Sequence, residues 1–312
     1  MTEPKKVLCI GECMLEFSSL TDGKFKRSFA GDTYNTAVCF KRLFGDALTV
    51  SYWTALGDDP LSDLMIEQMK SEGIQTAQIQ RVHGGAPGLY LIENDEAGER
   101  FFQYWRSASA ARQMLRGVDA AEFAKVCREY DLIYLSGITL AILDGEQRQT
   151  LLGALAQAKG ELLFAFDPNF RSKLWSDIEV CKDVMLQVAS LSDIVLTTME
   201  DEWELWGIRD AKAALMRWKE CGVTEVVIKD GGHGCWIDQG NGTIDLQNVK
   251  PERKLSPIDT TGAGDSFASG YLGERLLGKI VEEAARTGNR IASKVVMLQG
   301  AVIDEPHNNI AF

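Results

Sequence analysis

Apolar residues along this chain recur in two ways. Short runs such as Val7-Leu8-Cys9-Ile10 closed by Gly11, Leu163-Phe164-Ala165-Phe166 and Val226-Val227-Ile228 have the length of strands buried on both faces. Longer stretches repeat an apolar residue every three or four positions, the stripe of a helix packed on one side. Ala37, Val38, Phe40, Leu43 and Phe44 make one such stripe. From residue 120 onward the two patterns alternate: helix 120–129 and strand 132–135, helix 146–159 and strand 162–166, helix 178–189 and strand 194–196, helices 202–206 and 211–221 and strand 226–229. Helices 265–277 and 281–299 follow. The alternation predicts an α/β fold, a doubly wound, mostly parallel sheet with helices on both faces.

The first third is more mixed. A strand at 50–56 runs into Gly57-Asp58-Asp59-Pro60, an Asp cap with proline in the first turn, which starts a helix reaching 72 and stopping at Gly73. Residues 25–29 alternate polar and apolar, and short strand-like pieces occupy 78–82, 88–93 and 100–104. Asn94-Asp95-Glu96-Ala97-Gly98 has hairpin-turn chemistry. These pieces predict a small β lid, from about 12–30 and 87–106. No repeat or Pro/Gly/Ser-rich linker interrupts the chain, so 1–312 is expected to be a single domain.

Composition narrows the function classes. Apolar residues make up 45% and charged residues 25%, ordinary for a globular protein. A net charge of −12 argues against nucleic acid as partner and leaves room for a small anionic ligand held by a few local cations. The cysteines number seven, scattered without a C-x-x-C, which predicts reduced thiols and a cytoplasmic protein; Cys9 and Cys13 flank the first strand and are expected to be buried. Neither a signal-like start nor a run long enough to span a bilayer is seen. Three distant histidines make a histidine metal cage unlooked-for, and no metal ligand is assigned.

In doubly wound sheets ligands bind beyond the carboxyl ends of the strands, so the loops there carry the candidate chemistry. Asp259-Thr260-Thr261-Gly262-Ala263-Gly264-Asp265 ahead of an apolar helix is a glycine turn whose free N–H groups suit an anion. Asp265 there reads either as a helix cap or as a base. Asp32 and Asn35, in Gly31-Asp32-Thr33-Tyr34-Asn35, could cap a helix or bind hydroxyls. Tyr90, Tyr104 and Arg106 have the spacing to share a face, and an arginine fork beside them suits a carboxylate or phosphate. Asp167-Pro168-Asn169-Phe170-Arg171 ends a strand. Thr198 and Asp201 open a helix whose acidic first turn reads as capped and solvated, with Trp203 and Trp206 as core. Lys229-Asp230-Gly231-Gly232-His233-Gly234 lets backbone approach a nucleotide without being a Walker loop.

Together these strings resemble the PfkB (ribokinase-like) carbohydrate kinases: Gly31-Asp32-Thr33-Tyr34-Asn35 the first signature, with Ala30 where glycine is common, and Asp259 to Asp265 the second. The likeness runs in order from about residue 7 to about 301 and is strongest to members that phosphorylate 2-keto-3-deoxygluconate. It implies Asp265 as catalytic base and an anion hole of Gly262, Ala263 and Gly264. It implies substrate contacts from Gly31, Asp32, Thr33, Tyr34, Asn35, Tyr90, Tyr104, Trp105, Arg106, Arg171 and Asp265, with the arginines on a sugar carboxylate. It implies ATP contacts from Asn169, Arg171, Lys229, Asp230, Gly231, Gly232, Gly234, Gly262, Ala263, Gly264 and Asn289, with Mg²⁺ on the phosphates. Thr198 and Asp201 stand where the family has Asn-x-x-Glu. A monovalent cation such as K⁺ beside Asp259 and Thr261, and pairing of two subunits through the lid, are further features of some relatives. Fructokinase or ribokinase activity is the nearest alternative. A non-catalytic sugar-binding regulator is disfavoured by the intact Asp265, and a Rossmann-type dehydrogenase by the lack of G-x-G-x-x-G after the first strand.

Overall fold

A computed structural model describes residues 3–20, 23–94, 100–238, 245–253, 255–298 and 300–301. The first strand, β1 (Lys5–Ile10), is followed by β2 (Met14–Ser19), β3 (Phe25–Ala30), α1 (Asp32–Phe44), β4 (Leu48–Gly57), α2 (Pro60–Ser71), β5 (Ile79–Val82), β6 (Leu89–Asn94) and β7 (Arg100–Trp105). The alternating half comprises α3 (Ala120–Cys127), β8 (Leu132–Ser136), α4 (Gly137–Ile142), α5 (Gly145–Ala158), β9 (Leu163–Asp167), α6 (Ile178–Leu191) and β10 (Ile194–Thr198). It continues through α7 (Met199–Trp206), α8 (Ala211–Glu220), β11 (Glu225–Lys229), β12 (Cys235–Asp238), β13 (Leu246–Val249), α9 (Ala263–Leu276) and α10 (Val281–Val295). The expected turn at 95–98 lies outside the described residues, as does Gln299, where the last helix was expected to end; α10 stops at Val295.

Nine strands form the large sheet, in the order β13-β12-β11-β10-β9-β8-β1-β4-β5. All its pairings are parallel except those of β12 with β11 and with β13, so the expected α/β architecture is present with an antiparallel edge. The strands are buried on both faces, as their unbroken apolar runs require. In β1, Leu8 and Ile10 join one core cluster and Val7 and Cys9 the other, all fully buried. The first cluster takes residues from α3 to α8, the second from α1, α2, α9 and α10. A separate sheet of four strands, β3-β2-β6-β7, is built from the segments expected to pair as hairpins. Met14, Ala30, Tyr90 and Ile92 form its own small core.

Local chemistry sets the boundaries. The Asp59 carboxylate accepts from the Leu61 and Ser62 N–H groups and starts α2 at Pro60, as the sequence predicts. Helices α1 and α9 lie so close that a Cβ on Gly273 would sit 2.1 Å from the Phe44 ring. That approach brings the two signature segments together. Three features differ from expectation. The short β12 and β13 and the six-residue α4 were not anticipated, being too brief for a period to register. Trp203 is not core: it is 46% exposed, under the Arg209 guanidinium at 3.5 Å. The acidic start of α7 is solvated only in part: Glu200 is exposed, but Asp201 and Glu202 are buried, Glu202 against Thr197, Trp218 and Arg217.

Candidate active site

The site opens at the N-terminus of α9. Gly262 caps the helix with φ 73°, and a Cβ there would lie 2.2 Å from the Ala301 carbonyl, so only glycine fits. The first intrahelical bond runs from Ser266 N–H to Gly262 O (2.9 Å), leaving the N–H groups of Gly264 and Asp265 ahead of it. The Ala263 N–H donates to Thr260 O (3.2 Å), so it is already committed within the turn. Asp259 braces the loop by accepting from Thr261 N–H (3.0 Å) and Gly300 N–H (2.8 Å).

Asp265 is not the cap. Its carboxylate accepts from the Asn35 amide (2.8 Å) across the α1–α9 contact. Burial raises its pKa to about 7, reinforced by the negative charges of Asp32 and Asp167 and opposed by Asn35 and Lys229. Asp32, at the first turn of α1, accepts from Thr33 N–H (2.8 Å) and from the Asn169 amide (3.0 Å), and burial raises it also. Gly31 is required ahead of it because a Cβ would meet the Glu12 carbonyl at 2.1 Å. Of the remaining residues in this segment, Thr33 bonds the Tyr52 hydroxyl (2.8 Å) and Tyr34 is buried in the core. Both side chains are buried.

Asp167 and Lys229 form a buried ion pair at 2.6 Å. The ammonium lies 3.5 Å from where a Gly264 Cβ would stand, next to the open end of α9. Asp167 also accepts from Asn169 N–H (3.2 Å). Among the described residues Asn169 is the sole non-glycine with positive φ, at 36°. Backbone in that region is uncommon outside functional turns, and asparagine tolerates it best. Asp201, 5% exposed, accepts from Phe170 N–H (3.0 Å); burial and the Asp167 charge lift its pKa to about 6. Thr198 caps α7 by accepting from Asp201 N–H (2.9 Å).

On the small sheet Tyr90 and Tyr104 are cross-strand partners with rings 5.5 Å apart. The Tyr90 hydroxyl donates to Glu16. Partial burial raises the Tyr104 phenol, and the positive charges of Arg106 and Arg171 both pull it back. Trp105, next along β7 and 56% exposed, belongs to the opposite face of the strand from Tyr104. Arg106 is bonded to Glu12, a residue that the sequence did not single out. Arg171 holds the Phe170 carbonyl (2.7 Å) and is otherwise exposed.

Beyond β11, Asp230 N–H donates to Gly234 O (2.8 Å), closing a tight loop through Gly231 and Gly232. Gly234 (φ 90°) lies against Val249 and Pro251. The Asn289 amide is buried and donates to Val249 O (2.8 Å), so it props this loop and β13. The structure therefore brings Asp32, Asn35, Asn169, Lys229, Gly264 and Asp265 together. Glu12 and Asp167 were missed as contributors because their partners are 94 and 62 residues away. Among the described residues no group of three or more acidic, histidine or cysteine side chains could hold a metal ion, and no helix is long and apolar enough to cross a membrane. All seven cysteines are free thiols, with Cys9 and Cys13 buried as expected.

An anion-receptive helix start beside a carboxylate tuned to neutral pH, at the carboxyl ends of parallel strands, is the arrangement that phosphoryl transfer to an alcohol needs. Comparison with known proteins agrees. The model of the pfkB family carbohydrate kinases matches residues 4–308. A 2-dehydro-3-deoxygluconokinase of Escherichia coli (strain K12) is 41% identical over 305 residues, 96% of this chain and 97% of that protein. One from Haemophilus influenzae is 39% identical, covering 96% of each. A solved structure of 2-dehydro-3-deoxygluconokinase from Thermotoga maritima superposes with a TM-score of 0.83 at 22% identity, over 98% of both chains. With both signature segments, the fold and the family match in agreement, the chain belongs to the pfkB family of carbohydrate kinases.

Proposed function

We propose that this enzyme transfers the γ-phosphoryl group of ATP to the terminal hydroxyl of 2-keto-3-deoxygluconate, giving 2-keto-3-deoxy-6-phosphogluconate in sugar-acid catabolism. The names of its relatives support that substrate. The observation that carries the reaction is Asp265, with a carboxylate pKa raised to about 7 in the first turn of α9. A base so tuned accepts the hydroxyl proton as the oxygen–phosphorus bond forms; an ordinary carboxylate would be weaker by about three pKa units. Gly264 and Asp265 N–H groups receive the charge gathering on the phosphoryl oxygens, and Gly262 and Ala263 shape the turn that aims them. Lys229 stands beside Gly264 to share that charge. Asp32 and Asn35 orient the sugar hydroxyls, with Asn35 also aiming Asp265.

Arg106 and Arg171, whose charges both act on Tyr104, take the substrate carboxylate. The glycines of 231–234, with Asn169, Asp230 and Asn289, form the nucleotide side. Mg²⁺ would be carried on the triphosphate, where it would neutralise phosphate charge, and the buried Asp201 carboxylate would be the residue to hold it. K⁺ beside Asp259 and Thr261 is not needed to brace that loop, since Asp259 already holds two N–H groups. The small sheet acts as a lid that excludes water, and its edge strand β7 with exposed Phe101, Phe102 and Trp105 pairs two subunits.

Glu12 favours a second reading, a kinase for neutral sugars such as fructose or ribose, because it already neutralises Arg106. Coupled ADP release across 2-keto-3-deoxygluconate, fructose and ribose separates the two. The acid sugar is expected to give a kcat/KM about 100-fold or more above the others, the discrimination of two charge-assisted contacts. Equal or better turnover of fructose would replace the acid-sugar assignment.

A further inference from the structure

Glu12 lies just past β1, 2% exposed, with its carboxylate bonded to Nη2 of Arg106, which is itself nearly buried. Burial drives the Glu12 pKa up, while the Arg106 charge draws it back. Taking two ions out of water is costly unless their hydrogen bonds are completed. Here they are half completed. Among the described residues, Oε1 of Glu12 and Nε of Arg106 are buried with no hydrogen-bond partner. A guanidinium has five N–H donors, and Glu12 takes one of them, at Nη2. Nε is shut away from solvent, and among the described residues the head group makes no hydrogen bond besides the one to Glu12.

The position of the pair in the chain is equally informative. Glu12 lies where the chain leaves the large sheet for β2, and Arg106 where it returns from β7. Gly88, at the entry to β6, is so close that a Cβ would stand 2.6 Å from Oε1 of Glu12 and 3.2 Å from Cβ of Arg106. Gly31, at the exit from β3, packs on the Glu12 backbone. All four crossings between the two sheets therefore meet at Glu12.

We propose that Glu12 is the specificity-determining positioning residue for the acid end of the substrate. It grips Nη2 of Arg106 where the small sheet joins the large one and thereby presents the outer Nη1 of the guanidinium to a carboxylate. The net charge of Glu12, Arg106 and Arg171 is then +1, matched to a monoanionic sugar acid. The apparent neutralisation of Arg106 is thus the means of orienting it. This rests on the acid-sugar reading above, and wild-type protein in the same assay tests that reading separately.

The test is steady-state kinetics of Glu12→Leu, Arg106→Leu and the double variant with 2-keto-3-deoxygluconate, with fructose and with ATP. For Glu12→Leu, KM for the acid sugar should rise about tenfold, the loss of one charge-assisted contact. KM for ATP and for fructose and kcat should stay within about threefold. In the Arg106→Leu background the same change should add nothing, because both act through one guanidinium. An unchanged acid-sugar KM, a parallel rise for fructose and ATP, or full additivity with Arg106→Leu overturns the proposal. Should leucine at position 12 not give folded protein, Glu12→Asp is decisive. Its shorter reach withdraws the anchor while keeping the charge, so acid-sugar KM alone should rise severalfold, and no rise refutes the positioning role. If wild type itself does not prefer the acid sugar, the substrate assignment fails instead.

Discussion

Asp265 shows how far one carboxylate can be moved by its surroundings. Desolvation does most of it, and Asp32 and Asp167 add their fields. Asp265→Asn should lower kcat by about two to four orders of magnitude with substrate KM nearly intact, read by coupled ADP release; near-normal turnover would remove it as base. The same shift has a stability cost. The pKa is about 7 folded and about 4 in an unfolded chain, so the folded state binds the proton more tightly. Its favourable contribution is complete below pH 4 and is lost as pH rises through 7. Asp265→Asn should therefore raise Tm at pH 8, and the gain should vanish by pH 4 in thermal scans at the two values. Asp167→Asn removes a field that raises Asp265 and releases Lys229, which lowers it. The acid limb of the kcat profile should then move to lower pH; a limb that stays put or rises contradicts the coupling. Asp265 and Asn35 were legible as short signatures. Their mutual hydrogen bond was not, since nothing local to either residue encodes a contact spanning 230 positions.

At the level of elements, the site depends on how closely α1 and α9 approach. Gly273 meets the side of the Phe44 ring, which cannot swing away as a flexible chain end could. Gly273→Ala should destabilise by about 1–3 kcal/mol in urea unfolding, the usual cost of overpacking. It should also lower kcat more than it changes KM for ATP, because the shift separates Asn35 from Asp265. A variant as stable and as active as the parent would show that the helices can part without consequence. Long elements were readable from period alone, and the Asp59 cap with Pro60 fixed its boundary to the residue. The four-residue β12 and β13 and the six-residue α4 were not, because a period needs more than one repeat to be seen. Trp203 misled because size suggests a core residue; α7 instead buries Leu205 and Glu202 and leaves Trp203 outside under Arg209.

For the whole molecule, the two sheets divide the work. In the proposed mechanism the large sheet carries the phosphoryl chemistry at its strand ends, and the small one supplies the aromatic and cationic face. That division was legible from the change of period near residue 120, while the shared hinge at Glu12 was not, since it arises only when four chain crossings converge. The proposed pairing through β7 makes a molecular-scale prediction. Wild type should sediment as a dimer and Phe101→Glu/Trp105→Glu as a monomer; a monomeric wild type would dismiss the interface. The thiols offer a consequence of another kind. Cys9, Cys13, Cys39, Cys127, Cys181 and Cys235 are buried in six different places, from β1 to β12, and Cys221 is half-buried. Each is a built-in reporter that a thiol reagent can reach only when its own element opens. Cys39 lies 3.4 Å from the Ser266 hydroxyl, directly behind the glycine turn that opens α9. Its labelling rate measures how often α1 and α9 come apart, and saturating nucleotide should slow that clock while leaving the one at Cys127 unchanged.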